Sequence, residues 1–116
     1  MLDFTSENNE KWVGEQLRKF PEIIKDGFIP RSDMTDEMVS KVISGSLNLI
    51  TKPGKPKQEK DKKGRIKKVD WDAWFLYYCL CDLFGFKTSY EEIGQEVGRD
   101  RETVKQNFYL VQLSLD

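Results

Sequence analysis

A dense run of basic side chains is the feature of this sequence whose chemistry is easiest to name. Between residues 52 and 68, nine lysines and arginines stand against only Glu59 and Asp61, which gives the segment a local charge of +7. The rest of the chain holds ten basic and eighteen acidic residues, a net charge of −8. Such a concentrated patch on an otherwise acidic chain is typical of a surface that contacts phosphates. The alternative is a solvated loop that only keeps the protein soluble. The basic residues are Lys52, Lys55, Lys57, Lys60, Lys62, Lys63, Arg65, Lys67 and Lys68.

The sequence offers little material for catalysis or metal binding. It contains no histidine and no phosphate-binding glycine loop, and its two cysteines are Cys79 and Cys81. On a helix these thiols point about 200° apart, so they cannot bond to each other or share one ion. We therefore predict no enzymatic activity, no metal site and no cofactor. Two buried, inert thiols and a start without a secretory pattern predict a cytoplasmic location.

These basic side chains need a scaffold, and its centre is the apolar stretch at residues 71–84. Between Trp71 and Phe84, only Asp72 and Asp82 are neither apolar nor aromatic. A helix with this composition must be covered on nearly every side. With an aspartate just before it and a glycine just after it, the stretch predicts a buried central helix over residues 70–84. At about 21 Å, this helix is too short to span a bilayer.

Two further helices are predicted before this stretch. Residues 6–20 place apolar side chains at helical spacing up to Pro21, and a second helix begins at Thr35 and ends at Gly45. A chain of 116 residues is large enough for one globular core, so we expect a single domain over residues 1–116. In the second helix, the stripe expected to be buried consists of Met38, Val39, Val42 and Ile43.

Between the second helix and the central helix, the apolar period changes from helix-like to two. Short β-like runs at residues 47–52 and 65–69 flank the segment KPGKPKQEKDKKG, which has no apolar side chain. This pattern predicts a β-hairpin over residues 46–69 with a long, mobile, basic tip. We call residues 46–69 the basic arm.

A pair of short helices joined by a glycine turn is predicted after the central helix. Ser89 opens the first helix as the cap of a capping box with Glu92, and Gly98 supplies the positive φ that the turn needs. Asp100 caps the second helix. Gly94 is small enough to let another helix approach closely. The residues expected to face inward are Ile93, Val97, Val104, Phe108 and Val111.

The run YEEIGQEVGRDRETVKQNF resembles the helix-turn-helix superfamily, and within it the segment of sigma-factor promoter-reading domains and related bacterial and phage regulators. The resemblance covers residues 89–109 and includes Ile93, Gly94 and the turn glycine, Gly98. One departure is Arg99, because the family usually has an aliphatic residue after the turn glycine. Either the turn packs differently here, or this arginine is exposed for contact with DNA.

The resemblance implies that the second helix of the pair lies in the major groove of DNA and that its outward residues contact bases. Arginine, glutamine and glutamate are the usual partners of guanine, adenine and cytosine. Arg99 and Lys105 are alternatives for phosphate contacts. The outward residues are Arg101, Glu102, Lys105, Gln106 and Tyr109.

A basic hairpin beside a helix-turn-helix also resembles a winged helix, whose wing touches phosphates or the minor groove. In the usual winged helix the wing follows the recognition helix, whereas here the hairpin precedes the motif.

Together these patterns predict a mainly α protein with a small β-hairpin (α+β), in which a helix-turn-helix, with the hairpin as a candidate wing, packs on a buried central helix. The expected function is sequence-specific binding of double-stranded DNA, as in bacterial, plasmid or phage proteins of transcription control, replication or DNA transfer. The alternative is a protein-binding adaptor or inhibitor, because the surface outside the arm is acidic. The tail at residues 109–115 has more apolar groups than one helix face can bury, so it is a candidate seam for a homodimer or a protein partner. No membrane contact is expected.

Overall fold

Helices dominate the part of the chain that the structure, a computed structural model, describes: residues 7–24, 31–45, 52–64, 66 and 68–115. The prediction of a mainly helical protein is confirmed. No strand is present in those residues, and Lys60 and Ile66 form one isolated antiparallel bridge. Residues 46–51 of the predicted hairpin lie outside the described residues. The elements are α1 (Glu7–Lys19), a 3-10 turn (Pro21–Ile23), α2 (Asp36–Gly45), α3 (Trp71–Leu83), α4 (Tyr90–Val97) and α5 (Arg101–Leu113).

Helix α3 is the buried centre of the fold, as predicted. The Asp70 carboxylate accepts a hydrogen bond from the Ala73 N–H at 3.2 Å and caps the helix. At the other end Gly85 has a φ of 84°, and the Phe86 N–H donates to the Cys81 carbonyl at 2.8 Å. Helices α1 and α5 both pack on α3. The buried residues of α3 are Ala73, Trp74, Phe75, Leu76, Tyr77, Cys79, Leu80 and Cys81.

Helices α1 and α2 form a tight pair at one side of α3. A Cβ on Gly14 would collide with the backbone of Asp36, so the two helices come together where α1 has no side chain. The Arg18 Nε donates to the Asp36 carboxylate at 3.0 Å in a partly buried ion pair. At the start of α2, the Thr35 Oγ1 accepts a hydrogen bond from the Met38 N–H at 3.2 Å. The first two contacts fix the start of α2 against the second half of α1.

The buried face of α2 differs from the predicted stripe. Met38 and Val42 are 47% and 40% exposed, whereas Val39 and Ser40 are buried. The prediction was wrong for Met38 and Val42, because the contact between Gly14 and Asp36 turns the Val39 and Ser40 side of α2 toward α1. The side chain of Ile43, the fourth predicted member, lies outside the described residues.

Candidate nucleic-acid interface

The helix pair α4 and α5 begins at two capped ends, as the sequence predicts. The Ser89 Oγ accepts a hydrogen bond from the Glu92 N–H at 3.1 Å. The Asp100 carboxylate accepts one from the Thr103 N–H at 3.1 Å. Hydrogen bonds from the Thr103 side chain and backbone hold the pKa of Asp100 below its ordinary value. Both caps satisfy backbone donors that would otherwise lack partners at the start of a helix.

The turn between α4 and α5 depends on two glycines. Gly98 adopts the left-handed conformation, with a φ of 69°, which favours glycine. A Cβ on Gly94 would lie 2.5 Å from the carbonyl oxygen of Arg99, and the Arg99 N–H donates to the Gly94 carbonyl at 3.0 Å. Gly94 thus admits the backbone of the turn, whereas the sequence suggests the approach of another helix. The crossing of α4 and α5 is fixed by this close contact.

Arg99 is exposed, and its side chain folds back onto the turn. Its Nη1 donates to the carbonyl of Gly98 at 3.1 Å and to that of Val97 at 3.3 Å. These bonds satisfy carbonyls at the end of α4, which explains how an arginine can follow the turn glycine in this chain. A guanidinium has five N–H donors, so Arg99 can also meet a phosphate.

The inward side of α5 is centred on Phe108. Its ring lies in the middle of an aromatic cluster contributed by α3 and the start of α4. The stacking of Tyr78 on Tyr90, with centroids 5.3 Å apart, completes the cluster. Burial, and then the proximity of Tyr90, raises the pKa of Tyr78 to about 12, so its hydroxyl stays protonated. The centroid of Phe108 lies 5.3 Å from Phe75, 5.5 Å from Tyr78, 5.8 Å from Tyr90 and 6.1 Å from Trp71.

The outward side of α5 carries the residues that the resemblance assigns to base contacts. At 3.6 residues per turn, these five span roughly 140° of the helix circumference, on an arc that begins about 20° from the direction of Phe108. We call them the reading face. All are exposed, and they are Arg101, Glu102, Lys105, Gln106 and Tyr109.

The helix pair itself is not basic. Residues 89–113 hold three basic and five acidic side chains, a net charge of −2. The electrostatic attraction of a polyanion must therefore come from elsewhere in the chain, and the basic arm is the concentrated source.

The lysines of the basic arm are exposed wherever the structure describes them. Arg65 and Lys67 lie outside the described residues. We divide the rest of this part into the arm base, residues 52–58, and the arm tip, residues 59–64. The exposed lysines are Lys52, Lys55, Lys57, Lys60, Lys62, Lys63 and Lys68.

The arm base is packed on the fold, which differs from the long mobile loop expected. Lys55 forms an ion pair with Glu96 of α4, and the Gln58 Nε2 donates to the Glu96 carbonyl at 3.1 Å. On the other side, a Cβ on Gly54 would lie 2.7 Å from the carbonyl oxygen of Glu22 in the 3-10 turn. The arm base therefore bridges the 3-10 turn and the end of α4.

The arm tip is a tight turn. The Asp61 carboxylate accepts a hydrogen bond from the Lys63 N–H at 2.9 Å, and the Gly64 N–H donates to the Asp61 carbonyl at 3.0 Å. The chain then returns through Ile66, which packs against the core, to the buried Val69. The lysines of the tip are thus presented on a short loop with both ends held.

The structure thus brings the arm base against α4, the first helix of the pair. Sequence reasoning missed Glu96 and Gln58, the residues that make this contact. Glu96 had no local signal, since it lies 41 positions from Lys55 and resembles any exposed acidic residue of a helix.

The described residues contain no group of three or more histidine, cysteine or acidic side chains placed to hold a metal ion. Cys79 and Cys81 are both buried and form no disulfide. Burial raises the pKa of the Cys79 thiol well above its ordinary value. None of the helices that the structure describes combines the length and the apolar character required to cross a membrane.

No protein-family model matches this chain, and no curated protein or solved structure matches it either. The helix-turn-helix interpretation therefore rests on residues 89–109, their capped ends and their glycine turn.

Proposed function

We propose that this chain is a sequence-specific binder of double-stranded DNA, of the kind found in bacterial, plasmid or phage proteins of transcription control, replication or DNA transfer. One observation carries the proposal above the others. The same helix that buries Phe108 in an aromatic cluster presents the entire reading face to solvent. A helix that is rigidly seated on one side and polar on the other is what insertion into a major groove requires.

The reading face supplies groups that can discriminate bases. Arg101 matches the two acceptors of guanine, Gln106 matches the acceptor and donor of adenine, and Glu102 accepts from cytosine. Helix α5 has 13 residues, so it is about 20 Å long. The major groove is roughly 12 Å wide and admits one helix. Arg99 precedes these residues and Lys105 lies among them, and both are candidates for phosphate contacts.

The basic arm supplies the attraction that the acidic helix pair lacks. Each lysine that neutralises a phosphate releases counterions, and this release dominates affinity at low salt without regard to sequence. The arm therefore supplies affinity for the duplex, and the reading face of α5 distinguishes its sequence.

A gel-shift assay on random duplex DNA at two salt concentrations tests the proposal. The arm-tip variant Lys60→Gln/Lys62→Gln/Lys63→Gln removes three charges that face solvent. The matched control Lys11→Gln/Lys19→Gln/Lys41→Gln removes three exposed charges from α1 and α2. We expect the arm-tip variant, and not the control variant, to bind DNA more weakly than the parent. Its log–log salt slope should fall by up to roughly 2.7. Absence of any DNA binding by the parent at low salt would overturn the proposal.

A protein-binding adaptor is the second candidate, and exposed apolar side chains at the end of α5 favour it. Tyr109, Leu110 and Leu113 are 60%, 57% and 49% exposed. Side chains of this size in one patch are typical of an interface with another protein or with a second copy of the chain. Concentration-dependent dimerisation that Leu110→Ser/Leu113→Ser abolishes would assign the patch to self-association. A parent that stays monomeric and binds no DNA would favour the adaptor.

A further inference from the structure

We infer that Glu96 anchors the basic arm against α4 and so holds the arm tip where it meets phosphates, an inference that rests on the proposed function. Glu96 is an acidic residue in the helix pair, where negative charge opposes DNA. Its role is then to hold the arm in place, because it makes two separate contacts with the arm.

The two contacts use different parts of Glu96. Its carboxylate forms the ion pair with the Lys55 ammonium, and its backbone carbonyl accepts the hydrogen bond from Gln58. The carbonyl is available because it lies in the last turn of α4, where carbonyls have no partner within the helix. Two contacts three residues apart along the arm fix both its place and its direction on α4.

Apolar packing also holds the arm base. Pro53 and Pro56 are buried, and Gly54 abuts the carbonyls of Glu22 and Ile23. A cavity of about 150 Å³ lies between the arm base, α3 and α4, and Lys55, Trp74 and Glu96 help to line it. Such a space holds a few water molecules, so the arm does not pack closely on the two helices there. In the described residues, the polar contacts between the arm base and α4 are those made by Glu96.

The anchor shortens the tether that carries the tip lysines. With Gln58 held on α4 and Ile66 held on the core, about seven residues are left to move. If the arm is held only up to Pro56, about nine residues move, and if it is held only up to Gly54, about eleven do. Since effective concentration falls as roughly the −3/2 power of tether length, release weakens phosphate contact between about 1.5-fold and about twofold.

The direction of the change in DNA affinity distinguishes an anchor from an ordinary exposed acidic residue. Removal of a negative charge from a DNA-binding protein normally strengthens binding. Gln58→Ala/Glu96→Gln should weaken it, because loss of the tether outweighs the loss of one distant negative charge. The matched control is Gln95→Ala/Glu92→Gln, two exposed neighbours on α4 that make no hydrogen bond to the arm in the described residues. It removes the same groups and the same charge.

The experiment measures affinity for random duplex DNA in the parent background and in the background of the arm-tip variant. In the parent background, we expect Gln58→Ala/Glu96→Gln to bind about 1.5- to twofold more weakly than the control pair. Where the tip lysines have been neutralised, the two pairs should bind equally, because nothing is left for the anchor to position. Equal affinities in the parent background would overturn the positioning role.

A measurement without DNA tests the anchor by itself. Limited trypsin digestion should cut after Lys60, Lys62 and Lys63 several-fold faster in Gln58→Ala/Glu96→Gln than in the control pair. In the Gln58→Ala background, the charge exchange Lys55→Glu/Glu96→Lys rebuilds the ion pair in reverse and should restore part of the protection. Equal cleavage in the two pairs would overturn the anchor. If the parent binds no DNA while the cleavage rates differ as expected, the proposed function and the positioning role fail, and the anchor stands.

Discussion

The carbonyl oxygen of Arg99 occupies the space that a side chain on Gly94 would need, because a Cβ built there would lie 2.5 Å from it. The clash is with backbone, which cannot move aside as the end of a flexible side chain would. We therefore expect Gly94→Ala to destabilise the fold by about 1–3 kcal/mol, as overpacking does in a tight contact. Urea unfolding followed by circular dichroism measures this.

The control for that substitution is Gln95→Ala, on the exposed side of the same helix. Alanine is a good helix former and this position is exposed, so the change should stay within about 0.5 kcal/mol. An unaltered midpoint for Gly94→Ala would show that the turn does not approach α4 as closely as described.

Phe108 is expected to be the most costly residue of α5 to remove. Its ring contacts four aromatic neighbours and is 2% exposed. Phe108→Ala should cost about 3–5 kcal/mol, the usual range for deleting a buried phenylalanine. The adjacent Tyr109 is 60% exposed, so Tyr109→Ala should cost less than about 0.5 kcal/mol. Similar costs for the two in thermal unfolding would mean that α5 is rotated from the orientation described.

The cap of α5 predicts a dependence of stability on acid pH. Hydrogen bonds from Thr103 lower the pKa of Asp100 in the folded protein. A lowered pKa stabilises the fold above the ordinary aspartate value, and this contribution is lost as pH falls through the folded value. An asparagine side chain caps a helix without titrating, so Asp100→Asn should lose less thermal stability than the parent below about pH 4. Parallel melting-temperature profiles for the two proteins would contradict this.

The cysteines are expected to be unreactive in the native protein. Both thiols are buried, and burial raises the pKa of Cys79. Because the thiolate is the reactive form, an aromatic disulfide reagent at about pH 8 should label neither cysteine in native protein. In urea it should label both. Rapid labelling of the native protein would place at least one thiol at the surface.

Much of the fold was predictable because helix ends are encoded locally. Asp70, Ser89 and Asp100 each accept a hydrogen bond from an N–H three residues later, as their positions before apolar-periodic segments predict. Gly98 likewise marks its turn by residue type alone. The exposure of the reading face followed from the same periodicity, since burial of Val104 and Phe108 leaves its residues outside.

The errors concern contacts between distant parts of the chain. Met38 and Val42 were expected inside because apolar residues at this spacing usually face a core, but the close approach of Gly14 to Asp36 decides which side of α2 is covered. The packed arm base was missed for a similar reason. Its partners, Glu22 and Glu96, lie far from it in sequence, and neither carries a pattern that identifies a partner.

Recognition of sequence by α5 is tested most directly by comparing a selected duplex with a scrambled one. A preferred site is first selected with the parent from a randomised duplex library. Affinities for that site and its scrambled version are then measured at one salt concentration for the parent, for Arg101→Ala and for Gln106→Ala. Lys87→Ala, an exposed lysine between α3 and α4, is the control.

We expect Arg101→Ala and Gln106→Ala each to lose about 1–3 kcal/mol on the selected site and little on the scrambled duplex, because a base contact supplies discrimination and a phosphate contact supplies attraction. Lys87→Ala should keep the full preference. If both α5 variants also keep the parent's ratio of affinities, α5 does not read the sequence, and its exposed face serves a protein partner.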